Sequence, residues 1–229
     1  MKQLLTLLCL CSILASCKTE TKEQSNQTET ISEVKQELTI AEKIAKAHGY
    51  DHWNAIGRID FTFNVDRGEN HFERKWIWEP KKNQVAFSTG GDSIVVFNRN
   101  KIDSTTIELD QKFINDKYWL LVPFQLIWDK GTTISNPVKG LAPISKKELH
   151  KIVLTYGNEG GYTPGDAYDI FYDDDFIIRE WVFREGNRKE PSMATTFENY
   201  QDFNGLKIAK DHKMTDGNFN LYFSNVKVQ

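Results

Sequence analysis

From residue 58 the chain alternates. In "RIDFTFNV" the apolar Ile59, Phe61, Phe63 and Val65 fall on one side, and Arg58, Asp60, Thr62 and Asn64 on the other. This is the period of an antiparallel strand with one face in the core and one in water. "DRGE" turns the chain, and Phe72, Arg74, Trp76 and Trp78 then share one face of a second strand. Residues 80–83 turn it again, before short strands at 84–88, 93–98 and 104–109. After Leu109 the alternation lapses. It resumes at 149–156, 167–172, 176–184, 192–198, 206–214 and 219–228, with "DDD" (173–175), "EGN" (185–187) and "TDGN" (215–218) as turn signals between strands. The count is about eleven strands, and regular spacing with turn signals favours a barrel or a strongly curved sheet over a doubly wound fold.

Helical spacing is found in two places. Ahead of the strands, Val34, Leu38, Ala41, Ala45 and His48 recur on one face. "TIAE" (39–42) fits a capping box, Gly49 is a natural terminator, and the start can reach back to Ser32. In the middle, "KYWLLVPFQLIW" (117–128) holds one charge, two tryptophans and seven other hydrophobic residues, in a chain of mean hydropathy −0.53. Asp110 is suited to cap a helix here and Pro123 to interrupt it. The segment therefore reads as a broken helix, packed as a lid on the mouth of the sheet. A docking patch on the surface is the alternative. The fold class expected is mainly β with a few helices: a half-open antiparallel β-barrel of about eleven strands, with an N-terminal helix and a central helical lid.

Composition sets the limits of this domain. All 28 aromatic residues lie between Tyr50 and Phe223, with no internal linker among them. One domain over 33–229 follows, large enough to bury roughly 70% of its unfolded surface without disulfides or metals. Residues 18–32, "KTETKEQSNQTETIS", contain one aliphatic and no aromatic residue and cannot pay for folding. They read, with Cys17, as a tether over 17–32, with a reach of roughly 20 Å. A net charge of −3 offers no concentrated positive patch for nucleic acid.

The first residues, "MKQLLTLLCLCSILASCKTE", join a short basic start to an apolar run over 4–14, too short to span a bilayer as a stable helix. "LASC" (14–17) resembles a bacterial lipobox. The resemblance implies a signal peptide over 1–16, cleavage after Ser16, and lipidation of Cys17 with palmitate-type chains. Cys9 and Cys11 leave with the signal, so Cys17 remains as the sole thiol and no Cys-based metal site or disulfide frame is available. Membrane contact is then expected through the acyl chains on Cys17. Lys18 follows the cysteine where an aspartate would signal inner-membrane retention. The cell envelope of a Gram-negative bacterium, at the outer membrane, is the location implied, with the periplasmic or surface face left open.

The order of elements carries a second resemblance. A leading helix, "GRIDFTF", "WIWEP", "GDSIVVFNRN", a central helical insert and six further strands look like the LolA/LolB-like lipoprotein-carrier superfamily, over residues 41–228. Its members are half-open barrels with a helical lid over a hydrophobic cavity, and they bind acyl chains. The chain is more similar to lipid-anchored members of that fold. It departs from LolA, which is soluble, and LolB's exposed loop leucine has no counterpart to be placed here. The transport role therefore does not carry over residue by residue.

Phosphate loop, nucleophile elbow and HExxH are absent from the sequence. His48 and His52 are four apart but straddle the expected helix end, so a metal site there is disfavoured against a core contact for His48. Asp173, Asp174 and Asp175 suit a turn better than calcium. Asp169 and Glu180 flank that turn, and a paired-carboxylate hydrolase is a second alternative. The leading expectation is no enzyme, no cofactor and no metal. It is a membrane-anchored lipoprotein binding a lipid or other apolar small molecule, through Ile59, Phe61, Phe63, Val65, Arg74, Trp76, Trp78, Phe97, Trp119 and Trp128. Arg74 is either a cation for a ligand head group or the partner of an acidic neighbour. The first alternative is an interaction or assembly lipoprotein with a filled core, its protein partner unknown.

Overall fold

A computed structural model describes residues 37–88, 91, 93–159 and 162–229. The expected signal peptide, Cys17, the expected tether and the expected helix start at Ser32 lie outside these residues. The described chain is mainly β with few helices, and its sheets are open and antiparallel.

The first sheet runs in the order β13 (Asp211–Lys213), β14 (Phe219–Val228), β1 (Ile59–Arg67), β2 (Asn70–Glu79), β3 (Gln84–Ser88) and β4 (Val95–Asn98). First and last long strands are thus neighbours, closed by the amides of Gly57 and Arg58 donating to the Gln229 carbonyl at 2.6 and 2.9 Å. The second sheet is β10 (Met193–Thr196), β9 (Ile178–Arg184), β8 (Ala167–Tyr172) and β7 (Glu148–Tyr156), with β5 (Thr132–Ile134) and β6 (Val138–Leu141) both pairing β7. A small hairpin, β11 (Gln201–Phe203) and β12 (Leu206–Ile208), stands apart. The two sheets adjoin where β10 meets β13: Lys213 N–H donates to Thr196 Oγ1 at 3.1 Å, and Glu198 bridges Asp211.

Helix α1 (Ile40–Ala47) opens as the sequence indicates. Thr39 Oγ1 accepts from the Glu42 amide and Glu42 accepts from the Thr39 amide, which completes the capping box. The box fixes the start, so Leu38 stays outside the helix and exposed while Ala41, Ile44, Ala45 and His48 are buried. Gly49 ends it at φ +91°, a conformation that favours glycine.

The middle differs from expectation at both ends. Residues 104–109 form no strand. Asp103 Oδ1 accepts from the Thr105 and Thr106 amides, and this local turn starts α2 (Ile107–Leu120). Side-chain capping of a turn beats the β-preference of the threonine run. Asp110 lies inside α2 and pairs with Arg99 at 2.6 Å, so it is no cap. The helix breaks at Leu121, and Pro123 sits in the first turn of α3 (Val122–Trp128), where a proline is tolerated. The α2–α3 pair packs against both sheets. Phe113, Leu120, Leu121 and Phe124 pack on the first sheet, and Tyr118, Val122 and Leu126 belong to the core of the second. The insert is the middle layer of the core, with α1 packed against α3.

The outer side of β1 also departs from the simple alternation. Thr62 is 2% exposed and Asn64 3%. Asn64 Nδ2 donates to the Tyr222 carbonyl and Ser224 Oγ, near a bulge between Asp60 and Thr62. Sheet-internal hydrogen bonds satisfy these polar groups, so they need no water.

Candidate functional site

Between the sheets, at the end where β1 turns into β2, the two cores do not close on each other. A cleft of about 630 Å³ remains. One wall follows from register. Phe63 and Val65 alternate onto the inner face of β1, where they oppose Arg74 and Phe72 of β2, and Leu221 and Phe219 continue the face on β14. The other wall is built likewise, with Tyr168 opposite Phe183 and Trp181 two residues on. Helix α2 supplies Tyr118 and Trp119 between them. The rings touch in sequence: Tyr118 to Tyr168 at 5.4 Å, Tyr168 to Trp181 at 5.0 Å and Trp181 to Trp119 at 4.5 Å between centroids. Phe72 at the rim is 47% exposed.

Arg67, Asn70, Arg74, Asn115 and Thr163 add polar side chains to this mainly aromatic lining. Arg74 is fixed. Its Nε and Nη2 donate to Asp116 at 2.7 and 2.6 Å, and its guanidinium lies 4.8 Å from the Phe63 ring and 5.2 Å from that of Phe72. Asp116 is fully buried on α2 and also accepts from Trp76 Nε1 at 2.8 Å and Asn115 Nδ2 at 3.0 Å. Burial pushes its carboxyl upward, against the pull of Arg74, Asn115 and Trp76. Both readings of Arg74 thus meet in one residue, which faces the cleft and has an acidic partner.

Of the ten residues expected around a cavity, Phe63, Val65, Arg74 and Trp119 line the cleft. Ile59, Phe61, Trp76, Trp78 and Phe97 are packed in the core of the first sheet, away from it. Trp76 and Trp78 meet the Phe113 ring edge-on at 5.5 Å each, so α2 has filled the space above them. Trp128 lies elsewhere, 4.7 Å from the Trp53 ring, with its Nε1 donating to Tyr50 Oη at 3.2 Å. Tyr118, Tyr168, Trp181 and Phe183 were not among those expected. A signal exists in "IREWVF" (178–183), where Trp181 and Phe183 alternate with Glu180 and Val182.

The other candidate chemistry is engaged in structure. Asp169 pairs with Arg184 at 3.0 Å. Glu180 is buried and accepts from the amides of Ile144 and Ser145 at 2.7 and 2.9 Å. By register both lie on the face turned from the cleft, beside Phe171 and Val182. Asp173 Oδ1 accepts from the Asp175 and Ile177 amides and closes the β8–β9 turn. Asp174 faces His150 at 2.9 Å. His48 is buried, with Nδ1 at 2.8 Å from the Ile44 carbonyl, and the His52 ring packs beside Gly205. Among the described residues no group of three or more His, Cys, Asp or Glu is arranged for a metal.

By sequence the chain matches no family model and no curated protein. By shape it is similar to a DUF1329 family protein from Desulfovibrio piger, with a TM-score of 0.43 and 8% identity over 83% of this chain and 92% of that one. It is also similar to a putative outer membrane lipoprotein-sorting protein domain from Vibrio parahaemolyticus, with a TM-score of 0.39 and 10% identity over 82% and 93%.

Proposed function

We propose that this chain is a non-enzymatic lipoprotein of the Gram-negative cell envelope, anchored in the outer membrane through acyl chains on Cys17. Its cleft takes up the apolar part of a lipid or another apolar ligand. One observation carries the reading. Aromatic side chains from both sheets and α2 wall an opening of about 630 Å³ that the protein's own side chains leave unfilled. Each Å² of that wall removed from water contributes roughly 25 cal/mol. A ligand that covers two or three of these rings thus gains several kcal/mol before the costs of association. A lining made mainly of aromatic and aliphatic side chains suits a ligand with an apolar body.

The interaction reading draws on a different observation: five of the expected cavity residues are spent in packing. The two readings separate in one experiment. Trp119 and Trp181 stand in the wall, so palmitate or a short-chain phospholipid should quench tryptophan emission and raise the melting temperature by mass action. Phe72→Asp, at an already exposed position, should weaken that binding at least about tenfold while the unliganded protein melts as before. If neither ligand changes fluorescence or melting, the cleft is no binding site and the assembly reading stands in its place.

A further inference from the structure

Lys117 precedes Tyr118 on α2 and reaches a second, smaller pocket of about 240 Å³. Arg99, Gln125, Trp128, Asp129 and Lys130 wall it. Tyr118 and Tyr162 line both this pocket and the apolar cleft, their rings stacked at 4.1 Å. The two spaces are thus neighbours across a partition of two tyrosines.

An ammonium carries three N–H donors. The Gln125 amide, turned so that its oxygen faces Lys117 Nζ at 3.0 Å, accepts one, and its nitrogen then donates to Asp129 Oδ1 at 3.0 Å. The Trp78 and Trp128 rings lie 5.9 and 5.4 Å from Nζ and favour a cation. Among the described residues no carboxylate comes within 4.0 Å of Nζ. Asp129 is committed elsewhere, with Oδ2 accepting from Tyr156 Oη at 2.6 Å. The half-buried Lys117 ammonium therefore has two further N–H donors that open into the pocket, where an acceptor other than the protein's own groups can take them. Burial, and next the Arg99 charge, pull the Lys117 ammonium down to about 8, against the opposing pull of Asp129 and Asp110.

The remaining charges favour an anion. Arg99 gives Nε and Nη2 to Asp110, and among the described residues its Nη1 has no partner. Lys130 is exposed at the mouth. Lys117, Arg99 and Lys130 stand against Asp129 in the wall and Asp110 behind Arg99, an excess of one positive charge.

We infer that this pocket is an anion site, which takes one carboxylate or phosphate group between Lys117, Arg99 and Lys130. The group can arrive as a free ion, or as the head of an amphiphile whose chain lies in the adjoining cleft. None of its three cations, Lys117, Arg99 and Lys130, belongs to the cleft wall, so anion binding holds or fails independently of apolar binding.

Calorimetry on the full chain at constant ionic strength tests it, with sodium phosphate, palmitate and hexadecanol as probes. At pH 7 phosphate or palmitate should bind saturably. Lys117→Gln should weaken that binding about tenfold or more, as loss of a charge-assisted hydrogen bond does, and Lys117→Arg should keep most of it. Lys130→Glu, at an exposed position that cannot unfold the protein, should weaken it several-fold. Hexadecanol lacks the anion, so its affinity should be the same in wild type and both Lys117 variants. Palmitate binding tighter than both hexadecanol and phosphate identifies a head-group site. Saturable phosphate binding with palmitate no tighter than hexadecanol identifies a free-ion site. The inference is overturned if neither anion saturates, or if Lys117→Gln and Lys130→Glu both bind the anion as wild type does.

Discussion

His48 and His212 are buried and held neutral. Burial pulls the His48 imidazole down to about 4 and that of His212 to about 3. In the unfolded chain both take up a proton near pH 6.5. Their contribution to stability is whole above that value and is lost as pH falls toward 4, because the unfolded state then binds more protons than the folded one. Between pH 7 and pH 5 the two together should cost about 3–4 kcal/mol. Urea unfolding of wild type and of His48→Gln at both pH values checks this: the variant should lose about half as much as wild type over the same interval. At this scale the sequence was readable where partners are local, as with Thr39 and Glu42, and silent where they are distant. Nothing in the periodicity of β2 points to Asp116, which lies 42 residues beyond Arg74 on another element. A charged residue on an apolar strand face announces that a partner is needed, not which one.

Elements were more legible than contacts. The long strands follow from alternation, because their apolar residues share one face. The losses are explained by competition. Asp103 and Thr106 made a turn where β-branched residues suggested a strand, and residues 132–141 formed β5 and β6 with little apolar alternation because pairing to β7 holds them. The 206–214 run divides into β12 and β13. Glycines that end elements are sharper. At Gly49 a Cβ would clash with the Gly205 carbonyl oxygen, so Gly49→Ala meets both left-handed strain and a backbone clash. It should cost about 2–4 kcal/mol in chemical denaturation. Gly217, at φ +70° with nothing within 4 Å of its missing Cβ, should lose only about 1 kcal/mol as alanine, the strain alone.

For the whole molecule, the proposal is a body held at a membrane by Cys17, the first residue after the expected cleavage. Cys17→Ser should abolish palmitate incorporation and release the protein to the soluble fraction, read by radiolabelling and ultracentrifugation; labelled variant protein would refute the anchor. The cleft was only half visible in the sequence. Its first wall is a run of apolar residues on β1 and β2, but where core stops and opening begins depends on how far α2 reaches between the sheets, which no local pattern encodes.

The Arg74–Asp116 pair has a consequence in time. Two charge-assisted hydrogen bonds and a third from Trp76 rivet α2 to the strand beneath it. A helix so fastened is a wall and not a door, so a bound molecule should come and go past the rim at Phe72, with the helix still. Affinity and residence would then answer to different residues. Phe72→Asp should shorten residence only as far as it weakens binding. Asp116→Asn frees the helix, at a cost of about 3–5 kcal/mol for a broken buried pair, and should speed both arrival and departure in stopped-flow fluorescence with less effect on their ratio.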